Sequence, residues 1–261
     1  MSLIAAKIAV TPTLMWAVSA AARRWGSLVG GLLSGLPLTS APISIYLAAE
    51  QGERFAADAA VGSVEGLGAV TFCYLAYALC AARMRAIPAL CAALSAFVLG
   101  GVLLHGLVRP GPWLAAAIDL PAMALVVALC PPAGKPDATV DRPGPPRWDM
   151  PARLAAATAL VLLVSTLAPY LGSGLSGVLG PIPIISWPLM AFARVQDGVG
   201  ASLDVMRGSA QGSFGVLAFY VCVHLMLGHV GMISAYAVSI ALSAACVLPW
   251  LFTRRRFRGS C

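Results

Sequence analysis

The chain has 261 residues, 60% of them hydrophobic and 10% charged, with a mean hydropathy of +0.88. Soluble domains carry about 25% charged residues, so this composition excludes an ordinary water-facing surface. The net charge of +7 is not a nucleic-acid signal, because the Lys and Arg residues gather in short loops and at the ends of apolar stretches.

Those apolar stretches approach the ~20 residues that an α-helix needs to cross the hydrocarbon core. Backbone polar groups in lipid must be satisfied within the segment, so long apolar runs mean helices. Membrane strands would instead read as short alternating segments, which are absent. The expected fold class is an all-α integral membrane protein with about nine transmembrane helices, at 3–22, 27–48, 55–82, 86–107, 112–130, 152–170, 173–194, 200–228 and 231–253. Arg23 follows the first stretch rather than preceding it, the reverse of a secretory signal.

The interval 131–150 is rich in Pro, Gly and charge and reads as a linker. It divides the chain into a first four-helix unit (1–111), a connector helix (112–130), the linker (131–150) and a second four-helix unit with a basic tail (151–261). With the N-terminus outside, the inner loops and tail collect Arg23, Arg24, Arg83, Arg85, Lys135, Arg142, Arg147, Arg153, Arg194, Arg254, Arg255, Arg256 and Arg258. The outer loops hold little beyond Lys7, Arg54 and Arg109. This positive-inside bias fits an odd number of spans, a cytoplasmic C-terminus and a cell inner membrane.

The two units repeat each other. Shifting the sequence by 146 residues lays 26–74 over 172–220 without a gap. Identical pairs include Gly26/Gly172, Gly31/Gly177, Pro37/Pro183, Ser40/Ser186, Pro42/Pro188, Gly52/Gly198, Asp58/Asp204, Ser63/Ser209 and Tyr74/Tyr220. The matches fall on Pro, Gly, Asp, Ser and Tyr rather than on the abundant Ala and Leu, so shared composition does not produce them. The second span aligns with the seventh, an odd offset of five, and the second copy is therefore expected to enter the membrane from the opposite face. Inverted repeats of this kind recur in secondary transporters.

Each repeat holds a Pro-interrupted span, 31–47 and 177–192. Proline lacks an N–H and opens a helix, and matched breaks in the two halves point to a midplane site. The expected substrate-binding residues are Pro37, Thr39, Ser40, Pro42, Pro183, Ser186 and Pro188, with Ser34, Ser44, Tyr46 and Trp187 nearby. The next span of each half carries Asp58, Gly62 and Gly66, or Asp204, Gly208 and Gly212, at four-residue intervals. Such small residues let another helix approach, and the preceding interrupted helix is the expected partner.

Carboxyl groups at bilayer depth are expensive and functional by default. Glu65 with its counterpart Gln211, Asp119 two residues before Pro121, and Asp58 and Asp204 are therefore the candidates for a coupling ion or proton. Asp58 and Asp204 lie nearer span ends, as helix caps or dipole partners, and an ion pair is expected between Asp204 and Arg207. A capped break at Pro121 is the alternative for Asp119. His105 and His224 read as hydrogen-bonded packing residues or as proton relays.

Cys73, Cys80, Cys91, Cys130, Cys222, Cys246 and Cys261 include no CxxC pair, so no disulfide, metal or cofactor is expected. There is no GxSxG, HExxH or P-loop, and the protein is expected not to be an enzyme.

The motifs GLPLTSAP (35–42) and PIPIISWP (181–188), set in oppositely oriented halves, resemble the organisation of secondary transporters with crossed discontinuous helices, such as the bile-acid symporters and the cation/proton antiporters. The likeness is architectural and carries no family-specific motif. It implies alternating access and no particular substrate or ion. The expected function is secondary active transport of a small organic solute, proton- or cation-coupled. Expected partners are that solute and the lipid bilayer, with no nucleic acid and with a homodimer left open. The competing readings are an accessory membrane subunit that docks through its glycine stripe, a channel, and last an intramembrane enzyme.

Overall fold

The computed structural model describes residues 3–34, 36–108, 111–130, 148–183 and 185–258. The expected linker lies outside them as far as residue 147, with Lys135, Arg142 and Arg147, and so does Arg109. Among the described residues every regular element is helical. In chain order these are α1 (Leu3–Trp25), α2 (Ser27–Ser34), α3 (Ser40–Gln51), α4 (Glu53–Ala81), α5 (Ala86–Gly101), α6 (Gly111–Leu129), α7 (Asp149–Leu179), α8 (Ser186–Met226) and α9 (Met232–Arg258). A π-helical segment, Val102–Val108, continues α5.

Among the described residues five stretches are long and apolar enough to cross a membrane: Glu53–Ala81, Ala86–Gly106, Gly111–Leu129, Ser186–Met226 and Met232–Pro249. The other expected spans fall on α1, on the first part of α7 and on the two interrupted segments. In the first interrupted segment, 8 residues of α2 and 12 of α3 are separate helices, each too short alone to cross ~30 Å of hydrocarbon.

Glycines set the corners. Gly52 joins α3 to α4 at φ 95°, and Gly198 bends α8 at φ 90°. Gly26 and Gly172 mark the other corner at φ 97° and 75°. A side chain rarely tolerates such left-handed backbone. Both pairs are separated by 146 residues, so 27–34 and 173–179 precede a break, and 40–51 and 186–197 follow one. Gly52 is the residue from which α4 starts, which leaves Asp58 in the second turn rather than at a cap. At the connector, α6 runs through Pro121 without a break.

The core lies between α4 and the later part of α8. In the most apolar windows of these two helices 67% of residues are buried, against 28% for α5, α6 and α9. Those outer helices turn Ile87, Leu94, Leu99, Trp113, Leu125 and Ile233 outward, an apolar belt suited to lipid. Tyr77 of α4 donates to Ser202 of α8 at 2.9 Å across the buried centre.

The interrupted helices pack on the long helices of the other half: α2 on α8, and the end of α7 on α4. A Cβ on Gly31 would stand 2.1 Å from the Val205 carbonyl oxygen, and one on Gly177 would stand 2.1 Å from that of Ala59. The glycine stripe of α4 meets the same segment, Gly62 against Gly174 and Gly66 against Val178. This corrects the expectation that the stripe receives the preceding helix of its own half. The Gly52 hinge lets α3 diverge from α4, which leaves the stripe to α7.

Ordinarily Gly→Ala in a helix gains up to about 1 kcal/mol. Gly31→Ala and Gly177→Ala should instead each destabilise by about 1–3 kcal/mol, because the obstruction is backbone and cannot rotate away. Gly101→Ala, whose Cβ meets a Val178 methyl at 3.3 Å, should be near neutral. Thermal unfolding of the detergent-solubilised protein measures the difference.

Candidate functional site

The two breaks come together. One cavity is lined by Ser34, Leu36, Thr39 and Ser40 from the first, and by Pro181, Ile182, Pro183 and Ser186 from the second. Leu67 and Tyr74 of α4 and Ser213 and Val216 of α8 complete the wall. Its volume is about 20 Å³, close to what a single water needs. No lining residue is charged. Five hydroxyls of Ser and Thr and one of Tyr supply the polarity.

Of the expected binding residues, Thr39, Ser40, Pro183 and Ser186 line this cavity, whereas Pro37, Pro42 and Pro188 do not. Pro37 is buried within the first break. Pro42 and Pro188 are the third residues of α3 and α8, in the first turn, where proline's missing N–H costs nothing. Ser44 turns away to Tyr236 of α9, 2.9 Å between hydroxyls. Trp187 donates to Cys73 at 3.3 Å and stacks edge-on against Phe97.

The hydrogen bonds that hold the breaks are reciprocal under the same 146-residue shift. Ser63 on α4 donates to the Gly177 carbonyl at 2.9 Å, and Ser209 on α8 donates to the Gly31 carbonyl at 3.2 Å. Each hydroxyl also reaches the carbonyl one turn back, on Ala59 or Val205, at 3.0 Å. Ser34, Ser186 and Ser209 form a triangle with 2.9 Å sides, and the Tyr74 hydroxyl lies within hydrogen-bonding reach of Ser186, Ser209 and Ser213. On the other side Tyr220 reaches Ser40 and Ser63, while Ser40 approaches the Gly180 carbonyl at 3.5 Å. Gly180 stands where the first cluster has Ser34, and Leu67 where it has Ser213, so the second cluster has two hydroxyls fewer. Tyr74 and Tyr220 were legible as a repeat pair but not as parts of the site, because a buried tyrosine has the same sequence signature as core packing.

The acidic candidates separate. Glu65 is buried and its Oε2 lies 2.7 Å from Nδ1 of His105. Gln211, its counterpart, is buried too. Asp119 is 2% exposed, and its Oδ2 has no hydrogen-bond partner among the described residues. Asp58 is exposed and Asp204 half-buried, both away from the cavity lining. Arg207 donates to the Cys130 carbonyl just beyond the end of α6, a contact that sequence spacing did not announce. His224 Nδ1 sits 3.2 Å from the Ala57 carbonyl oxygen. Among the described residues no group of three or more His, Cys, Asp or Glu side chains could hold a metal.

Fold and site together define a protein that is helical throughout its described residues, with several helices suited to a membrane and a small, hydroxyl-lined cavity at two helix breaks. No protein-family model, curated protein or solved structure matches the chain.

Interhelical hydroxyl bonds in membrane proteins average about 0.6 kcal/mol. Ser63→Ala should therefore cost about that much. Ser209→Ala, which breaks bonds to Gly31, Ser34 and Ser186 together, should cost about 1–2 kcal/mol. Equal losses in unfolding experiments on the two variants would contradict this ranking.

Proposed function

We propose that the protein is a secondary active transporter of a small, uncharged or zwitterionic solute, working by alternating access in a cell inner membrane. The observation that carries this reading is the meeting of both helix breaks at one cavity. Breaks in a helix leave backbone groups that protein, water or substrate must satisfy, and paired breaks at a shared site are how many transporters bind their cargo.

The reciprocal bonds of Ser63 with Gly177 and of Ser209 with Gly31 support two related halves. In such an isologous arrangement residue i meets j and j meets i about a two-fold axis. The five-span offset between copies would place that axis in the membrane plane, with nine spans, the N-terminus outside and the C-terminus in the cytoplasm. A cavity of about 20 Å³ is too small for an organic solute, so binding would need one half to swing away from the other. Solute recognition would fall to Ser34, Thr39, Ser40, Tyr74, Ser186 and Ser213, which can donate or accept as the solute requires. A lining without charge argues against a solute of high net charge. Coupling to protons would fall to Glu65 or Asp119.

The accessory-subunit reading fares worse. Gly62 and Gly66 are already occupied by Gly174 and Val178 of the same chain, which leaves that stripe of α4 unavailable to a partner.

The test is a panel of neutral and zwitterionic solutes scanned for a rise in Tm of the purified protein, where a solute at 100 times its Kd adds about 2.7 kcal/mol. Flux of each hit into liposomes is then measured with and without a pH gradient. Thr39→Val and Ser186→Ala should each weaken the best solute by about tenfold, near the upper end of one lost hydrogen bond. Glu65→Gln or Asp119→Asn should abolish acceleration by the gradient while the Tm response survives. A steady conductance that no solute saturates would replace the transporter with a channel.

A further inference from the structure

We propose that Glu65 and His105 form a proton-carrying pair whose exchange with water is gated by the second interrupted helix, so that proton binding and opening of the cavity are one event. The proposal rests on the transporter reading and names the coupling ion and the device that links it to the site.

Glu65 sits midway along α4, with its side chain 7% accessible, and His105 is 26% accessible. Their 2.7 Å contact therefore joins a buried carboxyl group to a more accessible imidazole. His105 is placed by the π-helical segment Val102–Val108, a local widening that changes which residues face a neighbour and is frequent at functional sites. Across from the ring stands Gly174. A Cβ there would lie 2.6 Å from Cε1 and 2.9 Å from Nε2, so the backbone of α7 runs close beside the Cε1–Nε2 edge of the ring. The same short stretch rests on α4 at Gly62 and Gly66, accepts from Ser63 at Gly177, and ends at Pro181, in the cavity wall. One segment thus touches the imidazole at one end and the solute site at the other.

Asp119 of α6 is the titratable group that faces this part of α4. Its Oδ1 would lie 2.9 Å from a Cβ on Gly68, one turn beyond Glu65, and its unpartnered Oδ2 makes it a second buried polar group in the same region. The part of α7 at 173–183 brings no titratable side chain, and α5 brings only the exposed Cys91. From α8, His224 reaches α4 two turns away at Ala57, and Gln211 is neutral. Glu50 of α3 and Arg54 and Asp58 of α4 are exposed near the Gly52 hinge.

The proton step balances without a co-reactant. Water delivers a proton to Nε2, the Nδ1 proton passes along the short bond to Oε2, and the pair ends as neutral imidazole and neutral carboxyl with one proton gained. Release is the reverse. Gly174 stands against the Cε1–Nε2 edge of a ring that is partly accessible; a shift of 173–183 that opens the cavity would widen the access of water to Nε2.

Hydrogen exchange by mass spectrometry on the full chain in lipid nanodiscs tests this without any solute. Exchange of peptides covering 172–185 is followed from about pH 5 to about pH 9, the range that spans imidazole titration, after correction for intrinsic rates. The wild type should change its protection with pH by up to about tenfold per pH unit, the slope for one linked proton, while peptides from α9 stay constant. Glu65→Gln and His105→Gln should flatten the profile, and so should Gly174→Ala, which drives a methyl group into the ring. A flat wild-type profile overturns the proposal, and so does a pH response that persists in Glu65→Gln and His105→Gln or that Asp119→Asn alone removes. If a variant fails to purify, the wild-type profile and the remaining variants still decide. A pH response in a protein that moves no solute would leave the pair standing and remove the transporter; solute flux with a flat profile would do the reverse.

Discussion

Everything in the structure depends on two backbone crossings where only glycine fits. Gly31 lies against Val205, and Gly177 against Ala59, each so close that a single methyl group would land 2.1 Å from a carbonyl oxygen. Within lipid the hydrophobic effect does not drive helices together, and close van der Waals packing takes its place. The crossing also brings a serine of the long helix within reach of a carbonyl on the interrupted one, Ser209 to Gly31 and Ser63 to Gly177. Packing and polar satisfaction thus come from the same contact, and larger residues there would forfeit both.

That contact explains how a helix can be broken in the middle of an apolar bundle. A break frees carbonyl and N–H groups, and each left unsatisfied in lipid costs several kcal/mol. Hydroxyl groups meet part of that need: the carbonyls of Gly31, Gly177 and Gly180 each accept from a serine. Each such bond is worth only about 0.6 kcal/mol on average, so no single one locks the bundle. Salt bridges of comparable burial would be far harder to part, because separation strands a charge. A site held by hydroxyls is stable as a set and cheap to rearrange one bond at a time.

The sequence made the breaks, the glycine corners and the register legible because each rests on a residue type with one dominant physical effect. Proline removes a donor, glycine admits positive φ, and their recurrence at 146 residues stands out against abundant Ala and Leu. Partner choice was not legible. That α7 rather than α3 occupies the stripe at Gly62 follows from how the Gly52 hinge aims the chain, which no local spacing encodes. The pairing of Glu65 with His105 was hidden for a related reason: the contact spans 40 residues and depends on a π-helical register that apolar periodicity does not reveal. In sequence Pro42 and Pro188 look like breaking residues, yet each lies in a first turn, because a proline that starts a helix and one that ends its predecessor look alike.

The two halves agree where backbones cross and differ where polar groups gather, and the difference has a consequence. Glu65 faces Gln211, Ser34 faces Gly180 and Leu67 faces Ser213 across the repeat. If the halves were identical, the two exchange-related arrangements would have equal energy, and a ligand with equal affinity for both shifts nothing. Placing a titratable carboxyl group in one half and a neutral amide in the other breaks that equality. On the proposed alternating-access reading, a proton would then favour one arrangement over its counterpart by its differential binding alone. On the same reading, asymmetry of side chains on related backbones would set which arrangement is preferred at a given pH, while the gradients would set the direction of transport.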